Sequence, residues 1–301
     1  MVTTEGQQTG PDPNKEAGNV QSLFNLDARS VIVTGATGGL GREVVKTLLQ
    51  AGSDVIAVDH RDFFLSFRNM PGIEVSMEDA NTVLWSEHLR SISSDLGASL
   101  SYHSCDISDS GQTEIVFEKA STCSRFPLRG LVNCAGISIL GDSITFPLDT
   151  ARRIIDVNLV GSLIVAQAAA RIVRKKNLSA SFVFIASMSG YVVNKGVGTA
   201  AYSASKAGVH QLTRNLAAEW SHCDGWPEIR VNSISPGVIR TPMSSPVLSE
   251  GKLEASWTQE TMLRRLSVPE DYRGPVVFLL SEASSYMTGA DLLVDGGYTA
   301  W

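Results

Sequence analysis

Cysteine is scarce in this sequence: Cys105, Cys123, Cys134 and Cys223 are all there is, with no CxxC pair and no histidine cluster nearby. That excludes a disulfide framework and a zinc site of the usual spacing, and the thiols are expected to be reduced and buried. The histidines, His60, His88, His103, His210 and His222, lack metal-ligand spacing, so they read as ordinary polar residues and no metal is expected. Basic runs suited to phosphates are missing from a chain of net charge -6, which argues against nucleic acid as a partner. No continuous apolar run approaches bilayer length, so no membrane partner is expected either. The opening stretch MVTTEGQQTGPDPNKEAGNV lacks the apolar segment of a secretory signal. Residues 1–22 therefore read as a flexible tail, and the chain is expected to be soluble and cytoplasmic.

What is present is a strong alternation. SVIVTGATGGLGREVVKTLLQAGSDVIAVDH reads as strand, glycine-rich turn, helix, strand. Further strands are expected at RGLVNCAG, SFVFIAS, IRVNSISPG and ADLLVDGG, separated by helices near 149–176, 201–222 and 269–281. This pattern predicts an α/β, three-layer, doubly wound Rossmann fold with a parallel sheet of about seven strands, one domain over 23–301. Two segments interrupt the rhythm. Residues 60–98 form a long connection, with a helix expected around 81–93 and Phe63 and Phe64 as an apolar anchor. Residues 241–268 are irregular and read as a substrate lid.

TGATGGLG lies between the first strand and the first helix. Gly35 permits the tight turn, Gly39 lets backbone approach a pyrophosphate, and Gly41 lets helix pack on strand, with free helix N–H groups facing the phosphates. Asp59 ends the second strand, where an acidic side chain accepts from an adenosine ribose and repels a 2′-phosphate; NAD is therefore expected over NADP, with Arg61 a partial counterweight. Tyr202 and Lys206 of YSASK stand four apart and share a helix face. An ammonium beside a phenol favours phenolate and lowers a pKa otherwise near 10. Taken alone, the pair reads more readily as a core aromatic with a snorkelling lysine.

The motifs TGATGGLG, CDISD, NCAG, DVNLVG, IASMSG, YSASK, SPGVIRTP and LLVDGG occur in one order from about Arg29 onward. In this the sequence resembles the short-chain dehydrogenase/reductase family. The resemblance implies a dinucleotide held by Gly35, Thr37, Gly38, Gly39, Leu40 and Gly41, with Asp59, His60 and Arg61 at the ribose. Asp106 and Ile107 would lie against adenine, and Asn133, Ala135 and Gly136 beside the central strand and ribose. Pro236, Gly237, Ile239 and Thr241 would close over nicotinamide. Cys134 stands where the family more often has a second asparagine, a departure that bears on strand packing.

The resemblance also implies a catalytic tetrad. Tyr202 is the acid/base, and Lys206 lowers its pKa and binds the nicotinamide ribose. Ser187 polarises the substrate oxygen, and Asn158 holds a water in a proton relay. Ser187 is preferred to Ser189 because the family's serine precedes its glycine by three positions. Bringing a phenol from near 10 to near 7 needs about 4 kcal/mol. The implied reaction is NAD(H)-linked interconversion of a secondary alcohol and a ketone. Ser187, Met188, Tyr191, Val193, Tyr202, Met243 and Trp257 would face the substrate. That set is fairly apolar and leans toward a bulky ketone of specialised metabolism. SMSGYVVNKG is similar to polyol and ketose reductases, which makes a sugar alcohol the alternative. A non-catalytic dinucleotide sensor, or epimerisation with bound cofactor, are further readings; the first is disfavoured because tyrosine and lysine are both present. A homo-oligomer, tetramer or dimer, through 149–176 and 201–222 is expected.

Overall fold

Runs such as SVIVT and DVIAVD are buried at every residue, as strands covered on both faces must be. The computed structural model describes residues 19–60, 89, 91–222, 225–249 and 252–301. Arg61, Phe63, Phe64, His88, Cys223, residues 1–18 of the expected tail and most of the 60–98 connection lie outside the described residues.

The strands are β1 (Ser30–Thr34), β2 (Asp54–Asp59), β3 (Leu100–Ser104), β4 (Leu128–Asn133), β5 (Ala180–Ile185), β6 (Ile229–Pro236) and β7 (Asp291–Val294). They form one sheet in the order β3-β2-β1-β4-β5-β6-β7, parallel throughout. Alternate strand residues feed two cores. Ile32, Ile56, Leu131, Phe182 and Val231 pack under helices α2 (Ser110–Cys123), α3 (Leu148–Lys175) and α4 (Ala200–Trp220). Val31, Val33, Val55, Val132, Val183 and Ile234 pack under α1 (Gly39–Gln50) and the last helix, Arg273–Leu280. The fold is thus the three-layer doubly wound α/β sandwich expected. Strand order reverses between β1 and β4, and at such a point the crevice outside the carboxyl ends of the strands is the natural ligand site.

The helix expected near 149–176 is found, and the expectation that the thiols are buried is corrected. Helix α3 is 28 residues long with a stretch of mean hydropathy 1.4, long and apolar enough to cross a bilayer by composition, although no uninterrupted apolar run announced it. Its physical use is internal: 56% of that stretch is buried, with Val165, Ala169, Ile172 and Val173 in the core. Of the thiols, Cys105 is buried, Cys134 half-buried, and Cys123 exposed because it ends α2 on the solvent side. All three are free.

Candidate active site

The strand ends around the switch point gather most of the expected residues. Gly35 follows β1 with φ 63°, and a Cβ there would fall 2.6 Å from the Ala135 amide nitrogen. A Cβ on Gly41 would lie 2.0 Å from the Gly35 carbonyl oxygen, so the loop closes only without side chains. Gly38, the residue before α1, offers no side-chain cap, which leaves the first-turn N–H groups for an anion. Thr241 leans over the loop; its Cβ would be 2.7 Å from a Cβ on Gly39.

Asp59 is buried and its carboxylate is fully committed. Oδ2 accepts from the Thr37 N–H (2.9 Å) and hydroxyl (2.7 Å); Oδ1 accepts from the His60 N–H (2.8 Å) and pairs with His60 Nδ1 (2.9 Å). It therefore anchors the glycine loop to the end of β2, and a ribose hydroxyl would take the place of one of these partners. Asp106 is likewise engaged. Partial burial opposes its ionisation, but hydrogen bonds from Ser108 and Arg153 outweigh that and hold its carboxyl down at about 2. Its N–H donates to Gln112 Oε1 (2.8 Å), and Ile107 behind it is buried.

Asn158 lies in a π turn, Asp156–Val160, within α3. Such turns are rare and frequent at functional sites. This one brings the Asn158 amide to Ile137, whose N–H it accepts (2.8 Å) and whose carbonyl it donates to (3.0 Å), and to Ser205 Oγ (3.0 Å). Ser205 in turn donates to the Tyr202 carbonyl (2.6 Å), so Asn158 braces the helix that carries Tyr202. Asn133 is a second brace: it accepts from Thr34 Oγ1 and donates to Ser162 Oγ (2.7 Å), which donates to the Asn158 carbonyl (2.6 Å). A Cβ on Gly136 would lie 3.3 Å from Asn158 Oδ1 and 3.5 Å from Lys206 Nζ, so only glycine leaves that corner open.

Lys206 is buried, and its Nζ donates to the Ile185 carbonyl (2.7 Å). Burial pulls its pKa from 10.5 down to about 8. The ammonium sits 5.8 Å from the Tyr202 ring centroid. Here the expectation of an acidic phenol is corrected: burial pushes the Tyr202 pKa up, and the neighbouring Ser187 hydroxyl, which favours the ionised form, offsets this only in part. Desolvation disfavours the charged form of the phenol.

The substrate-facing set divides. Met188 is buried in its 3-10 turn, and Trp257 is buried under the lid, where its Nε1 donates to the Lys195 carbonyl (3.0 Å). Tyr191 turns to the sheet edge: its hydroxyl donates to Asp291 (3.1 Å) and its ring stacks on His210 at 4.1 Å. The attraction of a carboxylate a hundred positions away is not readable from local pattern. His210 is no ordinary surface histidine; it is buried, its Nε2 is 2.7 Å from Ser235 Oγ, and burial lowers its pKa. Val193 and Met243 remain exposed. The lid helix Lys252–Glu260 is fastened to the segment after Ser187 by Trp257, by a Lys195–Glu260 ion pair (3.0 Å) and by Leu253 over Gly196. Pro236 ends β6, Gly237 donates to the Val294 carbonyl (3.0 Å), and Ile239 pairs with Ser267. Leu40 packs half-buried against the core beneath α1. Among the described residues no cluster of His, Cys, Asp or Glu could hold a metal ion.

A family model described as enoyl-(acyl carrier protein) reductase matches residues 68–299. The chain is 43% identical to a protein of Aspergillus versicolor named as a short chain dehydrogenases/reductase, over 98% of this chain and 95% of that one. It is 37% identical to the NADH-dependent L-xylulose reductase of Ambrosiozyma monospora, over 92% and 97%. Among solved structures, the NADPH-dependent 3-quinuclidinone reductase of Rhodotorula rubra superposes with a TM-score of 0.80 at 27% identity, covering 98% and 100%.

Proposed function

The chain belongs to the short-chain dehydrogenase/reductase family and is an oxidoreductase acting on CH–OH groups; from that premise we propose that it interconverts an open-chain polyol and its ketose with NAD(H). The observation that carries the reading is the convergence of Ser187, Tyr202 and Lys206 beside the glycine cradle, at the carboxyl ends of β1, β4 and β5. The glycines Gly35, Gly39 and Gly41, the uncapped first turn of α1 and the open corner at Gly136 fit a dinucleotide. Once seated there, nicotinamide supplies the carbon that gives or takes hydride. Tyr202 exchanges the proton with the substrate oxygen, and Ser187 donates to that oxygen as negative charge develops on it. Lys206, held by the Ile185 carbonyl, places a positive charge on the phenol's side of the crevice.

The choice of polyol over a bulky ketone rests on the lining. Of the apolar side chains expected to face substrate, Met188 and Trp257 are buried and Tyr191 is bonded to Asp291, while the groups next to Ser187 are polar, Ser189 and Asn194. A relative that reduces a ketose supports the same direction. Exposed Val193 and Met243, with the likeness to a quinuclidinone reductase, favour a lipophilic ketone as the second reading. A panel of pentitols, hexitols, their ketoses and lipophilic ketones tests this. Turnover concentrated on the sugars is expected, and turnover of lipophilic ketones alone would overturn the substrate assignment.

NAD is proposed over NADP because the Asp59 carboxylate, fixed by Thr37 and His60, would face a 2′-phosphate with like charge. Asp59→Ser is expected to move the NADH to NADPH ratio of kcat/KM toward NADPH by about 10–100-fold. An unchanged ratio would remove Asp59 from cofactor choice. A homo-oligomer built on the face of α3 is proposed, with the exposed Leu148 and Val160 as apolar contacts. Light scattering coupled to size exclusion reads the state directly.

A further inference from the structure

Ser187 caps the turn Met188–Gly190, its Oγ accepting the Ser189 N–H at 3.1 Å. Its own proton goes to Ser189 Oγ (3.1 Å), and the Ser189 proton goes to Asn194 Oδ1 (3.0 Å). The near end of this chain lies beside the Tyr202 phenol, whose ionised form the Ser187 hydroxyl favours. Both serines are buried, so water is a poor substitute partner, and the direction of the chain is decided at its far end. That end is an amide, a group with an acceptor on one side and two donors on the other, exchanged by half a turn about a soft torsion.

The two directions serve different states of Tyr202. With the Asn194 oxygen accepting, protons point away from the phenol and Ser187 offers it a lone pair, which suits a neutral O–H. With the amide turned over, Nδ2 donates to Ser189 and Ser189 to Ser187. Ser187 is then left to donate to a phenolate or to the substrate oxygen. We propose that Asn194 is a positioning residue whose amide sets, and by turning over reverses, the Asn194–Ser189–Ser187 hydrogen-bond chain in step with the charge on the Tyr202 oxygen. This rests on the roles given above to Ser187 and Tyr202.

Other charged groups stand around the chain without joining it. Lys206 lies on α4 beside Tyr202, with Asp59 and the Cys134 thiol beyond it. Lys195 and Glu260 pair with each other at the lid edge, and His210, 3.8 Å from Asp291, packs against Gly190 of the same turn without bonding to Ser187 or Ser189. The serines and the amide therefore form a separate, uncharged route to the phenol.

The test is the pH profile of kcat/KM for alcohol oxidation, which needs Tyr202 deprotonated, measured alongside Tm and dinucleotide binding. Asn194→Asp leaves only acceptors and adds a like charge, so the limb is expected to move to higher pH by about one unit or more. Asn194→Gln, which keeps an amide, is expected to restore the wild-type limb. In a Ser189→Ala background the Asp substitution should lose most of its effect, because the chain is cut. A limb that stays in place in folded Asn194→Asp overturns the proposal. So does a shift that persists in full without the Ser189 hydroxyl, which would be charge acting through space. If Asn194→Asp does not fold, Ser189→Ala alone decides: it frees the Ser187 proton for the phenolate, so a limb shifted to lower pH supports the chain, and an unmoved or raised one refutes it. Tyr202→Phe separates the two levels. Should it keep turnover, the reading of the site fails; should it lose turnover while every limb stays fixed, only the chain proposal fails.

Discussion

Tyr202→Phe is expected to lower kcat by about 10²–10⁴-fold while leaving dinucleotide affinity and Tm close to wild type. Tyr202 is half-buried beside Ser187, so phenylalanine fills the same space and only the exchangeable proton is lost. A buried hydroxyl removed together with part of its hydrogen bond changes stability by about 1 kcal/mol, far less than the barrier it controls. Stopped-flow turnover combined with fluorescence titration of NADH measures both halves. Wild-type turnover with intact binding would remove Tyr202 from proton transfer.

Lys206→Met should lower kcat by about 10²-fold or more and, in addition, change how stability depends on pH. The ammonium is 5% exposed, and its pKa falls from 10.5 to about 8 on folding because burial disfavours the charged form. Below pH 8 both folded and unfolded chains carry the proton, and the cost of burying it is present in full. Between about 8 and 10.5 the unfolded chain holds a proton that the folded one has released, so stability rises with pH across that window. The gain attributable to this one group is of order 3 kcal/mol. Urea unfolding at pH 7.5 and 9.5 should therefore show the wild type gaining stability relative to Lys206→Met. Equal changes in the two proteins would mean that Lys206 keeps an ordinary pKa in the folded state. The Ile185 carbonyl loses its partner in the variant, which lowers stability at every pH and leaves the difference between the two pH values intact.

The depressed lysine and the raised phenol together explain why spacing alone misjudged the pair. Four residues on one helix face brought Tyr202 and Lys206 together, as the sequence implied, but the spacing carried no information on what covers them. In the folded chain burial acts on both groups, and each is pushed toward its neutral form.

Much of the rest was legible for a simple reason: its chemistry is written in contiguous residues. The glycine loop needs its glycines because a Cβ at Gly35 or Gly41 would strike backbone, and such a clash leaves a mark in sequence. The strand runs β1, β2 and β5 are buried throughout and so read as largely apolar blocks. What escaped depends on segments far apart. Tyr191 looks like a pocket aromatic until Asp291 and His210 are placed beside it. Trp257 looks like a lid side chain facing substrate until the Lys195 carbonyl captures its indole N–H. The link from Ser187 through Ser189 to Asn194 runs through a turn whose geometry no periodicity encodes. Helix α3 was legible almost to its ends, since 149–176 was expected and Leu148–Lys175 is found, but the π turn within it was not.

One physical idea unites these points. The fold brings three polar side chains, Ser187, Tyr202 and Lys206, to a desolvated corner where a proton can pass to an oxygen while hydride passes at the adjacent carbon. The most direct test is to supply NADH deuterated at nicotinamide C4 with a ketose and locate the label by mass spectrometry and NMR. The account predicts one deuterium on the new carbinol carbon and none with Tyr202→Phe; a reduced or rearranged product free of deuterium would contradict it.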